Sequence, residues 1–227
     1  IKDEPQHLSN GAITPKLLKL LNIKYCVLSN SNNFLRLKKL INFSKKNRTV
    51  VACLIKKNIL TSKSTKKTKN DITRGGILRE DFIKILLKNI KSSTKLISTT
   101  GYASRELHKI RLKYNLKKGN DFYMVGGMGH SSMVALGISL NTKNQVICLD
   151  GDGSMIMHMG SLANIGNYAK QNYKHIILNN FSHESVGGQR TFSENMNFEN
   201  IANGAGYKKY FYLSKKENIS RVVKSFF

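Results

Sequence analysis

Apolar residues along the chain keep changing their period, from every second position to every third or fourth. At 14–22, Thr14 is placed to cap a helix, Pro15 takes its first position and LLKLLN follows. YCVLS at 25–29 reads as a short strand. Phe34, Leu37, Leu40 and Ile41 share one helical face, so 33–46 predicts a helix. TVVACLI at 49–55 is almost continuously apolar, as in a strand buried on both faces. A break follows. TSKSTKKTKN at 61–70 has no apolar residue and reads as an exposed linker. Beyond it the alternation is regular. Helices are predicted at 79–90, 104–112, 129–140 and 155–170. Strands are predicted at 95–99, 122–125, 146–150, 175–178 and 210–213.

Strands that alternate with helices predict an α/β fold, a doubly wound parallel sheet. Ligands of such sheets sit at the carboxyl ends of the strands. The 227 residues suffice for one domain and part of a second. At 40% hydrophobic content the chain has material for a real core, even with a formal charge of +25. It holds no run of about 18 apolar residues, so no transmembrane helix is expected. Lys and Arg number 38 against 13 Asp and Glu, a balance familiar from nucleic-acid binders. Here the cations are mostly Lys, scattered among many Asn, with no zinc finger, basic zipper or aromatic RNA-binding motif. We read the excess as a solvated surface whose field also suits a small anionic substrate. The rival from another class is a basic nucleic-acid-binding remnant of a dead enzyme. Cys26, Cys53 and Cys148 lie in apolar stretches, and no two are spaced as metal ligands or as a redox pair. Buried free thiols in a reducing, cytoplasmic compartment are the expectation.

The sharpest local signal is VICLDGDGSM at 146–155. A buried strand ends in Asp150, then come Gly151, Asp152, Gly153 and Ser154, then a helix. Glycines let the backbone turn sharply and approach a ligand. A following helix start offers free N–H groups to a phosphate. Asp152 sets a carboxylate beside that phosphate, where a hard cation such as Mg²⁺ would bridge the two. A second strand, HIIL, ends in Asn179 and Asn180. Asp152 and Asn180 thus stand at the ends of two parallel strands, where two oxygen ligands of one ion can converge.

GDG, then the 25 residues 154–178, then NN resembles the thiamine-diphosphate fingerprint. By that resemblance the metal ligands are Asp152, Asn180 and the main-chain carbonyl of Ser182. GGMG at 126–129 agrees: Met128 matches the apolar residue that props the cofactor into its bent form, and the Gly126 carbonyl would accept from its amino group. Thr100, Gly101 and Tyr102 would reach the diphosphate from the other side, beside Gly151, Gly153 and Ser154. The likeness narrows further. KDEPQH at 2–7, STTGYASREL at 98–107, GGMGHSSMVALGISL at 126–140, GDGSMIMHMGSLANIG at 151–166 and NNFSHESVGGQRT at 179–191 together resemble the phosphonopyruvate decarboxylases. The sulfopyruvate decarboxylases, which often divide two domains between subunits, are similar.

The resemblance implies a carboxy-lyase that uses thiamine diphosphate and Mg²⁺ to decarboxylate 3-phosphonopyruvate, or sulfopyruvate or another 2-oxo acid. It implies the tail of a pyrimidine-binding domain at 1–60, a linker at 61–76 and a diphosphate-binding domain at 77–227. The family's catalytic glutamate lies ahead of the KDEPQH position, and a further strand follows Phe227. The expectation is therefore a piece cut at both ends, inactive alone, that works as a homo-oligomer or with a complementary pyrimidine-domain chain. His183 is the first candidate for proton donor or phosphonate contact. His130, His158 and His7 are weaker candidates, while His108 and His175 read as structural. Arg190 stands where the family has Pro, and could meet an anionic substrate.

Overall fold

The computed structural model describes residues 5–30, 33–60, 76–116 and 120–226, without the side chains of 5–7 and 217. These residues fall into two units, Ile1–Asn70 and Asp71–Phe227. The stretch 61–76, read as a linker, lies outside the described residues except for Gly76, and the side chain of His7 lies outside them too.

In the first unit, Pro5–Leu20 (α1) precedes Lys24–Leu28 (β1), Phe34–Asn47 (α2) and Val51–Ile55 (β2). β1 and β2 pair in parallel, and α2 is the crossover that parallel pairing requires. α1 does not start at Thr14 as the sequence suggests; it runs through Pro15. Pro15 has no N–H to give to the preceding turn, and the Thr14 hydroxyl donates to the Asn10 carbonyl at 2.6 Å beside that gap.

The second unit contains Arg79–Asn89 (α3), Lys95–Ser98 (β3), Tyr102–Lys113 (α4), Asn120–Tyr123 (β4), Ser131–Leu140 (α5) and Val146–Gly151 (β5). Asp152–Met157 (α6), Ser161–Tyr168 (α7), Tyr173–Leu178 (β6), Phe198–Gly204 (α8) and Ile219–Phe226 (α9) follow. The four strands are all parallel, in the order β4-β3-β5-β6. Side chains alternate across the sheet as the pleat requires. Leu96, Ile147 and Leu149 face one layer, with Phe82, Ile83, Leu86, Leu107, Ile110, Ile219 and Val223 from α3, α4 and α9. Their neighbours Ile97, Val146 and Cys148 face the other, with Ala135, Leu136, Leu162 and Ile165 from α5 and α7. Register explains the pairing, since Leu96 lies opposite Ile147 and Ile97 opposite Cys148. The expected doubly wound α/β sheet is what forms. Its strand order reverses between β3 and β5, and there the carboxyl ends open a crevice.

Two predicted elements differ. The helix expected over 155–170 is two helices, because His158 leaves helical geometry (φ −131°) and Gly160 begins the next turn. The strand expected at 210–213 does not pair. Leu213 packs on the first core layer, and the Phe211 ring meets the Phe226 ring edge-on at 5.7 Å. At the amino ends of the strands, the Asn172 amide donates to the carbonyls of Ser139, Thr142 and Asn144 at 2.9–3.1 Å and gathers that loop. None of the described helices is long and apolar enough to cross a membrane.

Close approach also fixes where α7 meets the end of α8. A Cβ built on Gly166 would run into the Ala205 carbonyl, which is backbone and cannot swing aside. We expect Gly166→Ala to destabilise the second unit by about 1–3 kcal/mol, the usual overpacking cost, read as a lower urea midpoint. An unchanged midpoint would refute this packing.

Candidate functional site

Four strand ends and the loop after β6 build one cleft. Thr100 and Tyr102 line it from the end of β3, and Met128 from the loop after β4. Gly151, Asp152, Gly153 and Ser154 line it from the end of β5, and Asn180, Ser182 and His183 from beyond β6. Of the sequence-derived site residues, Gly101 lies just behind this wall, where a Cβ would come 2.9 Å from the Ser185 hydroxyl. Its φ of +101° independently suits glycine. Gly126 is outside the lining, in a turn where Gly126, Gly127 and Gly129 all have positive φ and so aim Met128 inward.

Asp152 is the buried charge of the site, 2% exposed at the head of α6. Its Oδ2 accepts from the Thr191 hydroxyl at 2.5 Å and the Ser193 hydroxyl at 2.8 Å. The Ser193 oxygen is also 2.9 Å from Asn179 Oδ1, so its single proton serves two acceptors. These bonds fix the carboxylate by one oxygen. No Lys, Arg or His among the described residues forms an ion pair with it, and a buried carboxylate without a counter-charge is costly.

The loop after β6 offers two more oxygens. Asn180 Nδ2 donates to Glu184 Oε2 at 3.2 Å, which turns Oδ1 the other way, where it accepts the Ser182 N–H at 3.2 Å. Ser182 bridges antiparallel to Arg190. The hydrogen bonds of that bridge run from Thr191 N–H to the Phe181 carbonyl and from His183 N–H to the Gln189 carbonyl. The Ser182 carbonyl is left outside the pairing. Asp152, Asn180 and Ser182 thus line the same cleft and offer carboxylate, amide and carbonyl oxygens, the donor types that hard divalent cations take.

Sequence reasoning missed what holds this set. Arg79, at the head of α3, lines the cleft and donates to both oxygens of Glu106 at 2.7 and 2.9 Å and to Glu184 at 3.1 Å. The hydrogen bond to Glu106, ahead of its charge, holds the guanidinium above its already high value despite burial. Glu106, Arg79, Glu184 and Asn180 therefore form one chain of contacts ending on a candidate ligand. No motif marks it; an arginine in a chain with 38 basic residues gives no local signal. Ser154 does similar work within the floor. Its hydroxyl contacts Thr99 Oγ1 at 2.9 Å and accepts the Gly129 N–H at 3.1 Å, so one side chain ties together the turns after β3, β4 and β5.

The histidines separate. His183 lies directly over Gly153, where any Cβ would collide with its ring. The His130 and His158 rings meet with centroids 4.1 Å apart, tilted by 42°, and are not part of the lining. Arg190 pairs with Glu194 and lies over the Phe192 ring, directed along its own loop. His175 has both ring nitrogens committed, to Asp150 at 3.3 Å and to the Tyr207 hydroxyl at 2.9 Å, as a structural histidine would. Burial pushes the Asp150 carboxyl up, but the His175 hydrogen bond and charge, the Ser154 hydroxyl and the Gly151 amide together hold it below its ordinary value.

Residues 99–227 match the family of thiamine pyrophosphate enzymes through its C-terminal TPP binding domain. Along 91% of its length the chain is 30% identical to a phosphonopyruvate decarboxylase of Streptomyces viridochromogenes, covering 55% of that protein. It is 41% identical to the phosphonopyruvate decarboxylase of Streptomyces hygroscopicus over 54% of this chain and 29% of that one. It is 38% identical to the beta subunit of sulfopyruvate decarboxylase from Methanocaldococcus jannaschii, over 56% of this chain and 66% of that subunit. The chain thus spans about half the length of the first relative, and less of the second.

Asp150 gives a pH prediction. Its folded value is depressed, so its stabilisation is complete above about pH 4, the unfolded value, and is lost as pH falls through the lower folded one. Asp150→Asn should lower the urea midpoint at neutral pH and flatten its fall below about pH 4. A variant that keeps the wild-type acid slope would exclude Asp150 as its source.

Proposed function

The chain belongs to the thiamine pyrophosphate enzymes with the C-terminal cofactor-binding domain, and on that premise we propose that it forms the diphosphate- and Mg²⁺-holding part of a 2-oxo-acid decarboxylase. The observation that carries this reading is Asp152, a buried carboxylate without a cationic partner among the described residues, lining one cleft together with Asn180 and Ser182. In this reading those three hold Mg²⁺. Thr100, Gly101, Tyr102, Gly151, Gly153 and Ser154 meet the diphosphate, and Met128 supports the bent cofactor, with the Gly126 carbonyl as acceptor for its amino group. Bound thiamine diphosphate would supply the electron sink for the pair left behind when CO₂ departs.

The substrate we propose is 3-phosphonopyruvate. Its carboxylate leaves as CO₂ and a proton takes its place, giving phosphonoacetaldehyde. His183, over the GDG turn, is the candidate to hold that proton or to contact the phosphonate. The 30% identity to a phosphonopyruvate decarboxylase along 91% of the chain supports this choice. The 38% identity to a sulfopyruvate decarboxylase beta subunit favours a second reading, with a 3-sulfonate in place of the phosphonate. Residues 1–60 are read as the end of a pyrimidine-binding domain and 77–227 as the diphosphate domain, joined by 61–76. The catalytic glutamate would come from a pyrimidine-binding half, on a longer form of the same chain within a homo-oligomer or on a partner subunit.

Titration calorimetry of thiamine diphosphate with Mg²⁺ tests the site before any turnover. Asp152→Ala should lose metal-dependent binding by more than about 100-fold, and Glu184→Gln by about 10–100-fold, the range for residues that orient a ligand. Unchanged affinity in Asp152→Ala would remove the metal assignment. CO₂ release by the enzyme with its pyrimidine half, from phosphonopyruvate and sulfopyruvate side by side, decides the substrate. Faster turnover of the sulfonate would overturn the first choice.

A further inference from the structure

Cys26 and Cys53 are 27 positions apart, which conceals any pairing in the sequence. The fold places them directly opposite each other in the parallel register of β1 and β2. Register partners on neighbouring strands project to the same face. Adjacent strands run about 4.8 Å apart, inside the Cα separations of roughly 4.4–6.8 Å that a disulfide spans. The two sulfurs lie 3.8 Å apart, close enough for one to attack the other after activation. Both thiols are partly exposed and reduced, whereas Cys148 is fully buried. A metal site is the weaker reading of the pair. Among the described residues, the group of three or more metal-ligating side chains that does occur is Cys148, Asp150 and His175, not these two. Two sulfurs alone fall short of the three or four protein ligands a thiophilic ion takes.

We propose that Cys26 and Cys53 are a modification site, a dithiol that closes to a reversible disulfide when it meets a small-molecule disulfide of the glutathione class. The thiolate of one cysteine attacks a sulfur of the oxidant, whose S–S bond breaks and releases one small thiolate. The second cysteine then attacks the protein sulfur of that mixed disulfide, forms the Cys26–Cys53 bond and expels the second small thiolate. Two protein thiols lose two electrons and two protons. The oxidant gains both and leaves as two thiols. The bond fastens β1 to β2 around the α2 crossover. Burial, then the neighbouring Cys26 sulfur, pushes the Cys53 thiol up, so closure quickens as the medium becomes more alkaline.

The test needs no variant. The full chain, kept native, is incubated with oxidised glutathione at mildly alkaline pH, quenched with acid and digested with trypsin. The expected product is the peptide 25–36 joined to 49–56 with the loss of two hydrogen atoms, and its disappearance after dithiothreitol. Thiol titration should show two of the three cysteines lost together. Glutathione retained on both Cys26 and Cys53 would overturn the proposal, because the second attack would then not occur. So would a native chain in which neither cysteine reacts, or a link that forms only in urea.

Discussion

A carboxylate taken out of water needs something to balance its charge. Asp152 sits at the end of the most buried strand, held by two hydroxyls that fix its geometry and leave its charge uncompensated. The rest of the second unit can be understood from that constraint. β5 is central so that its end is walled off from solvent. The loop after β6 is folded back by the Ser182–Arg190 bridge so that Thr191 and Ser193 reach Asp152. Arg79 and Glu184 bring charge to the rim without pairing with the carboxylate itself. On the proposed reading a divalent cation would complete this balance, and the donor set then matters more than the size of the cleft.

Parallel strands explain how so few residues assemble the site. Four strands of one direction put four turns on one edge, and the reversal of order between β3 and β5 leaves a gap between two of them. Ser154 then needs one hydroxyl to join three turns. The joining is cooperative, since losing that oxygen loosens Thr99 and Gly129 together.

What could be read from the residues followed from how local the signal was. β5 announces itself because burial on both faces demands an unbroken apolar run, and GDG follows at once. Asn180 is legible from its place after the next such run. Thr191 and Ser193 are not, because they lie 39 and 41 positions from the carboxylate they hold and nothing in a lone hydroxyl says where it will point. Arg79 is hidden among many cations. The single helix expected over 155–170 failed for a related reason. Apolar spacing continues through Met159 and Leu162, and only the backbone of His158 and Gly160 shows the break. The run at 210–213 has strand composition, but Phe211 sets its ring against Phe226 of α9, Leu213 packs on the core and Tyr212 is left exposed. Cys26 and Cys53 became neighbours only through register, which no spacing rule contains.

The opposite edge of the sheet carries a different duty. There the Asn172 amide gathers three carbonyls, and the segment leading into β5 is anchored by Val146 N–H to the Asn172 carbonyl. Nothing on that edge lines the cleft. The second unit is thus divided by strand polarity into an end that can drift in sequence at the expense of folding alone and an end whose changes also alter the lining of the cleft. Inherited variation should accumulate unevenly between them, and a lineage could reshape its tolerance to heat on one side without touching what it recognises on the other.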